Sequence, residues 1–548
     1  MKIERGNAIA PPFLFIPQRN CCLGNHLREN KKEYFYMGAT LTILDWTVLA
    51  VYGLGIILIG ILTGRKEKNT EEFFLAGRQM PWWAVMISIY ATALSALTFI
   101  GVPGVAYGGD FNYLQLGIGD FFGRIFIALL LITAYYRGKV MTVYEFLGQR
   151  FGPCSNSAGT GFFIITRLLA SGVRLAGCAI ALSVVFGVSI HSAILIIAFI
   201  ALLYTMVGGI KAVIWTDMVQ FSLLLFAAFI TIGTIFAFLP NGWDDFISIG
   251  SAHQKFNIFH ISFISGTKDY WLNFGNSQSL IAGFLLGCFT TLAVLGTDQD
   301  LVQRMLTCRD VRQSQKAIIL TGILNFPITL LFLGVGAALF VYYNVFPDPE
   351  VSKLMVAGKN DYIFPYFIKT VLAPGLRGLL IAGLLAAAMS SLDSALNALA
   401  STVYVDIYKK HIRPQSDEAQ AVTVSRWFVA AFALLLALIA MGFCRTESIL
   451  WLGFRVFGYT YGALLGIFLL AVLTKQRGSD KANVIAMLSS VLVVMFLTAD
   501  SVGPFTGVRM FFLNPFGITV FAWPWAIVIG MVWTFCVSVM FPTKAKQT

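Results

Sequence analysis

About thirteen apolar stretches, each near twenty residues or longer, run along the 548-residue chain. That length is what an α-helix needs to cross the ~30 Å hydrocarbon core of a bilayer. Lipid offers no water to open backbone groups, so helices that satisfy their own amides are the natural spanning form. A closed β-barrel would show shorter, alternating segments. The chain is 57% hydrophobic and 12% charged, with a mean hydropathy of +0.77. A soluble domain of this size cannot hide so much apolar surface. The reading is an all-α integral membrane protein. Its approximate spans are 43–63, 82–107, 112–136, 158–185, 189–208, 212–239, 278–298, 315–343, 374–405, 421–443, 448–474, 482–501 and 517–541.

The net charge of +12 would suggest a nucleic-acid partner in a soluble protein. Here most Lys and Arg fall in alternate short loops, and topology explains them instead. Arg65, Lys66, Lys68 and Arg78 follow the first span, Arg137, Lys139 and Arg150 the third, Arg304, Arg309, Arg312 and Lys316 the seventh. Lys409, Lys410 and Arg413 follow the ninth, Lys475 and Arg477 the eleventh. The odd-numbered loops are therefore expected in the cytoplasm, which puts the N-terminus outside the cell membrane and the C-terminus inside. Residues 1–42 read as a disordered extracytoplasmic leader or as the product of an upstream start codon, with Met37 the alternative start. The eight cysteines show no zinc or redox spacing and read as free thiols. No GxxxxGK[ST] motif is present, so uphill transport would draw on an ion gradient, and no ATPase subunit is expected.

The second span carries small and hydroxylated residues in its middle, Ala91-Thr92-Ala93-Leu94-Ser95-Ala96-Leu97-Thr98-Phe99, and then Gly101-Val102-Pro103-Gly104. Pro103 interrupts the helical ladder, and glycines tolerate unwinding. Unwound backbone at membrane depth frees carbonyls, which a cation can coordinate; a simple proline kink is the alternative. The ninth span supplies a possible second half. Ala387, Ser390, Ser391 and Ser394 share one helical face, and Ser390, Asp393, Ser394 and Asn397 an overlapping one. These are hard oxygen ligands suited to sodium. Close helix packing explains the serines but not Asp393, since a carboxylate in lipid is costly unless functional or paired. At about 1.5 Å per residue, Ser390 lies roughly 18 Å from one surface of a ~30 Å core, and Ala91 and Leu94 roughly 14–18 Å from the other. The two sets therefore fall at similar heights. Asp217, just inside the sixth span, falls at a similar depth.

Several stretches carry a family resemblance. They are Thr70-Glu71-Glu72-Phe73-Phe74-Leu75-Ala76-Gly77-Arg78, the second span, Val143-Tyr144-Glu145-Phe146-Leu147, Gly208-Gly209-Ile210-Lys211 through Asp217, Thr297-Asp298-Gln299 with Val302-Gln303-Arg304, and the ninth span. In this order, over roughly residues 43–475, they resemble the sodium–solute symporter family of sugar, proline, sialic acid and monocarboxylate carriers. The resemblance implies a LeuT-type fold of two inverted five-helix repeats, 82–239 and 278–474. An additional first helix at 43–63 and two C-terminal helices over 482–541 would flank them, with ion and solute near the midplane. It implies a main sodium site on the carbonyls of Ala91, Leu94 and Ala387 and the hydroxyls of Ser390 and Ser391. A second site, present in some members, maps to Asp217, Ser390, Asp393 and Ser394. Asp393 stands where the two-sodium members have serine, so it tightens that site or takes a proton, and the stoichiometry stays open.

The resemblance places Ser95, Thr98 and Phe99 at the solute. Their run is more like the sialic acid carriers than the sugar carriers. The fourth-helix arginine of those carriers aligns here with Ala170, and Arg174 sits one turn further on. A guanidinium in lipid must meet a partner or a cavity; a solute carboxylate is one partner. Asp120 is another, with Arg124 competing for it at i+4. Gln115 is a weaker solute contact. Asp298, Gln299, Asp300 and Arg304 read as a structural or gating network, and Tyr459 and Tyr461 as packing aromatics, with a place in the pocket lining as the alternative. The function expected is sodium-coupled symport of a small polar solute, leaning to a carboxylate such as sialic acid or another organic acid. A sugar or polyol is the alternative, and a proton-coupled carrier or a channel is the more distant one. No HExxH spacing and no nucleophile elbow suggest an enzyme.

Overall fold

The structure is a computed structural model that describes residues 41–64, 74–205, 210–261, 279–413, 418–444, 449–498 and 521–543. The leader with Met37, the loop cations Arg65, Lys66 and Lys68, Thr70–Phe73 and Gly208–Gly209 lie outside the described residues.

The elements used below are α1 (Ile43–Gly64), α2 (Trp82–Ala93), α3 (Ala96–Gly108), α4 (Phe111–Gly138), α5 (Pro153–Phe186), α6 (Ile190–Thr205), α7 (Ile210–Phe238), α8 (Leu280–Thr297), α9 (Gln299–Met305), α10 (Val311–Val345), α11 (Leu376–Ile412), α12 (Glu418–Phe443), α13 (Ile449–Leu473), α14 (Asp480–Thr498) and α15 (Ala526–Val539). Ten helices among the described residues are long and apolar enough to cross a bilayer, and the bent pair α2–α3 makes an eleventh span. Two shorter apolar helices, Ile190–Leu202 and Trp523–Val539, fall where the sequence predicts further spans. Described strand structure is limited to two isolated bridges.

Burial ranks these helices. The apolar windows of α5 and α11 are each 89% buried, whereas that of α1 is 17% buried. The first two form the centre, and α1 presents its flank to lipid while packing on α7 and α11. The Asp45 carboxylate anchors α1. It accepts from the Gly375 and Gly378 amides at 2.8 and 2.9 Å and from Arg377 Nη2 at 2.7 Å. It thereby satisfies orphan N–H groups at the start of α11. The α4–α8 crossing is closer still. A Cβ on Gly119 would stand 2.0 Å from the Phe284 carbonyl oxygen, and one on Gly287 would stand 2.1 Å from that of Leu116. Glycine on both helices lets backbone meet backbone, as small residues do between membrane helices.

The break between α2 and α3 bends the span by 59° and lies at Leu94 (ψ 74°) and Ser95 (ψ 175°). The expectation that the Gly-Val-Pro-Gly run opens the helix is corrected here: Pro103 sits inside α3. The break falls instead in the small, hydroxylated middle, where the Ser95 side chain and small neighbours cost little to unwind.

Candidate functional site

The break frees backbone acceptors. In an unbroken helix the Ser95 N–H would close on Ala91; here it turns back to the Ala93 carbonyl at 3.0 Å. The Ala91 carbonyl then accepts from Ser390 Oγ of α11 at 3.2 Å. Ser391 Oγ stands 3.5 Å from the Thr92 carbonyl and donates to that of Ala387 at 3.1 Å, and Ser390 Oγ lies 3.4 Å from the same Ala387 oxygen. Ala91, Ala387, Ser390 and Ser391 are thus one buried cluster of neutral oxygens, and Leu94 is the break residue beside it. Neutral hard donors in a water-poor setting suit sodium and offer nothing to a softer metal.

Asp217, Asp393 and Ser394 lie next to it, and Arg304 is threaded between them. Its Nη2 donates to Asp217 Oδ2 at 3.3 Å and to the Ser394 hydroxyl, its Nε to Ser88 Oγ at 2.9 Å, and its Nη1 to Asp300 Oδ1 at 2.7 Å. Ser88 Oγ in turn donates to Asp217 Oδ2. Asp393 Oδ1 accepts from the Ser394 amide at 2.7 Å, while Asp393 Oδ2 and Asp217 Oδ1 have no hydrogen-bond partner. Arg304, expected in a separate inner network, reaches Asp217 and Ser394, two of the residues expected at a second ion site, and brings a positive charge beside them.

The rest of that network surrounds a second helix break. Asp298 is extended (φ −89°, ψ 124°) between α8 and α9 and caps α9 through the Asp300 amide. Tyr135 and Tyr144 hydroxyls donate to the neighbouring Gly296 and Thr297 carbonyls at 2.6 and 3.0 Å. Protein hydroxyls satisfy this break, whereas the first break meets the serine pair. Arg167, fully buried on α5, binds Asp298 at 3.2 Å and also Asp300, and the Tyr461 hydroxyl donates to Asp298. Arg167 was missed in the sequence. Its signal was a seven-residue spacing to Arg174 in an apolar helix, which puts both on one face.

Beside this oxygen cluster lies a cavity of about 180 Å³ lined by Ser95, Thr98, Tyr90, Tyr113, Asp120, Arg124 and Arg174, and on the α8 and α10 side by Thr290, Thr291, Asn325 and Thr329. Ser95, Thr98 and Arg174 therefore share one chamber, and Leu94 borders it too. Arg174 is 8% exposed, and its Nη1 has no partner. Its rival role as a partner of Asp120 is not realised, because Arg124 takes that carboxylate at 2.8 and 3.1 Å. Phe99 and Gln115, expected at the solute, do not line this chamber. Phe99 is wholly buried against Phe332 and Phe364, because the bend turns Ser95 and Thr98 toward the chamber and the next side chain away from it. Gln115 binds Asn112 at 2.9 Å and borders a separate apolar pocket.

The Sodium:solute symporter family matches residues 73–488. The sodium/sialic acid symporter of Proteus mirabilis is 28% identical over 462 residues, 82% of this chain and 89% of that protein. The sodium/glucose cotransporter of Vibrio parahaemolyticus is 28% identical over 482 residues, 83% of this chain and 85% of that protein. A solved structure of a Na+-coupled sialic acid symporter, in a substrate-bound outward-open state, superposes with a TM-score of 0.77. It is 23% identical in sequence, over 92% of this chain and 99% of that one. The fold is the LeuT-type arrangement of helices, and the chain belongs to the sodium:solute symporter family.

Proposed function

We propose that this sodium-coupled symporter carries a small organic acid, of which sialic acid is one example, through the chamber between α3, α4, α5, α8 and α10. The observation that carries the reading is Arg174, a buried guanidinium with an unpartnered nitrogen, in one chamber with the Ser95 and Thr98 hydroxyls. An unpaired cation is costly in a low-dielectric interior. A carboxylate neutralises it and gains charge-assisted hydrogen bonds.

Sodium binds in the cage of Ala91, Leu94 and Ala387 carbonyls and Ser390 and Ser391 hydroxyls. The cage bridges the broken span to α11, so the ion favours the conformer that holds them together. Ser95 closes the break on the chamber side, and solute bound there favours the same conformer. Each ligand thereby strengthens the other, a reciprocal linkage, and release of both to the opposite side completes alternating access. The cage atoms are neutral, so the ion's charge is answered by Asp393, three residues beyond Ser390 and on the same helical face. In the second site, Asp217 and Ser394 are engaged by Arg304, and the reading is one sodium per solute. The repeats comprise 82–239 and 278–474, and the loops bearing Arg137, Lys139 and Arg309 face the cytoplasm.

Uptake into proteoliposomes tests this. A sodium gradient should drive accumulation of an organic acid, with competition from other acids and little from neutral sugars. Equal uptake in sodium and choline buffers would remove the sodium coupling, and stronger competition by neutral sugars would replace the acid with a sugar or polyol.

A further inference from the structure

The chamber contains three charged side chains among its described lining residues: Asp120, Arg124 and Arg174. One negative and two positive charges leave the lining at +1. The Asp120 carboxylate is fully subscribed. Arg124 Nε and Asn325 Nδ2 donate to Oδ2 at 2.8 and 3.1 Å, and Arg124 Nη2 and Thr291 Oγ1 donate to Oδ1. This leaves Asp120 no free lone pair with which to bind a solute cation. Arg124 is 3% exposed and, although it holds Asp120 with two nitrogens, its Nη1 has no partner. Arg174 Nη1, on a different wall, is in the same condition. Five N–H donors in a rigid fork make guanidinium a directional binder of oxygen, and a buried donor left without an acceptor is destabilising.

We infer that Arg124 of α4 and Arg174 of α5 grip the solute from two walls, and that the solute is a small organic monoanion with a second oxygen acceptor. The inference rests on the chamber being the transport site and adds to it the charge and the second anchor. A neutral solute leaves the +1 lining uncompensated, and a dianion overshoots it. Asp120 sets this count: it cancels Arg124 electrostatically while leaving Nη1 free as a hydrogen-bond donor. Arg124 is thus a specificity residue that selects a second oxygen without demanding a second negative charge.

The test uses the full chain with saturating sodium, and reads stabilisation on heating in detergent and competition for uptake in proteoliposomes. The probes are glucose, gluconate and glucarate, a six-carbon series with zero, one and two carboxylates, together with lactate, pyruvate, succinate and sialic acid. Monoanions should stabilise the protein at least tenfold more effectively, by midpoint concentration, than neutral or doubly charged probes of like size. Asp120→Asn takes the lining to +2 and should swing the preference at least tenfold toward dianions. The double variant Asp120→Asn with Arg124→Gln keeps the lining at +1; it should weaken binding of keto and hydroxy acids about tenfold and leave a plain monocarboxylate such as butyrate within threefold. A purely structural Arg124–Asp120 pair would instead weaken all solutes alike.

Stabilisation by sodium alone, unchanged in each variant, certifies the fold; if Asp120→Asn fails that control, Arg174→Gln, which leaves the pair intact and the lining neutral, should abolish the preference for monoanions. Charge-blind binding, a dianion preference in the unmutated protein, or no monoanion binding from the panel overturns the clamp while sodium coupling stands. Loss of every sodium effect in the unmutated protein would instead overturn the symport reading beneath it.

Discussion

Replacing Ser391 by alanine separates the ion cage from the fold. Ser391 Oγ donates to the Ala387 carbonyl at 3.1 Å and stands 3.5 Å from that of Thr92. The first is a bond to its own helix, four residues back, of the kind that adds little to helix stability. The second is at the limit of hydrogen-bond distance. Their loss should cost the fold about 1 kcal/mol or less. The ion loses one of five proposed oxygens. An interaction with a charged group is worth about 1.5–3 kcal/mol, and about 1.4 kcal/mol is a factor of ten, so half-saturating sodium should rise about 10- to 100-fold. The order in which solutes compete should not change, because Ser391 lies outside the chamber lining. The assay is a sodium titration of thermal stabilisation, paired with sodium-dependent uptake. Half-saturation within twofold of the unmutated protein would remove Ser391 from the cage, and a changed solute order at constant sodium affinity would place it at the solute.

The remaining predictions concern charge, packing and pH. Asp393→Asn should raise half-saturating sodium about tenfold while the sodium dependence stays hyperbolic, since the carboxylate acts as a counter-charge; a cooperative curve in the unmutated protein that becomes hyperbolic in the variant would show that a second sodium had been lost. Gly119→Ala drives a methyl into the Phe284 carbonyl across the α4–α8 contact and should destabilise by about 1–3 kcal/mol or more, read as a lower melting temperature; an unchanged midpoint would mean that the helices part freely. Outside the spans, Lys255 caps the end of α3, donating to the Tyr107 and Gly109 carbonyls at 2.7 and 2.8 Å, with Phe340 beneath it. Burial pushes its ammonium down to about 8, against a smaller opposing pull from Asp110, which also faces His260. Between about pH 8 and 10.5 the unfolded chain holds a proton that the folded one has released, so stability contributed by this group rises with pH through that window. Lys255→Met should flatten the rise, and an identical slope in the variant would refute the assignment.

Much of the site was legible in one dimension. Ser390 and Ser391 on one helical face, at a depth matching Ala91, pointed to their meeting, and the structure brings them within 3.2–3.5 Å of α2 carbonyls. Arg174 in an apolar helix announced a cavity or a partner, and it lines one. Phe99 and Gln115 fall outside the chamber lining because sequence proximity to Ser95 or to a helix mouth does not fix direction. A 59° bend at Leu94–Ser95 decides which side chains enter the chamber. Pro103 looked like the breaker, yet a proline can remain in a membrane helix when neighbouring elements hold it.

Hydropathy and loop charge alone determined that the chain threads a bilayer with helices, because the cost of open backbone in lipid allows little else. The order of its motifs determined its kinship. Tertiary structure decided the pairings of charge: Arg304 with Asp217, Ser88 and Asp300, Arg167 with Asp298, Arg124 with Asp120, and Arg174 unclaimed at Nη1. The i,i+4 pairs Arg124–Asp120 and Arg304–Asp300 are local, but the others join residues far apart in the chain, and whether Arg174 or Arg124 reaches Asp120 depends on how the helices cross.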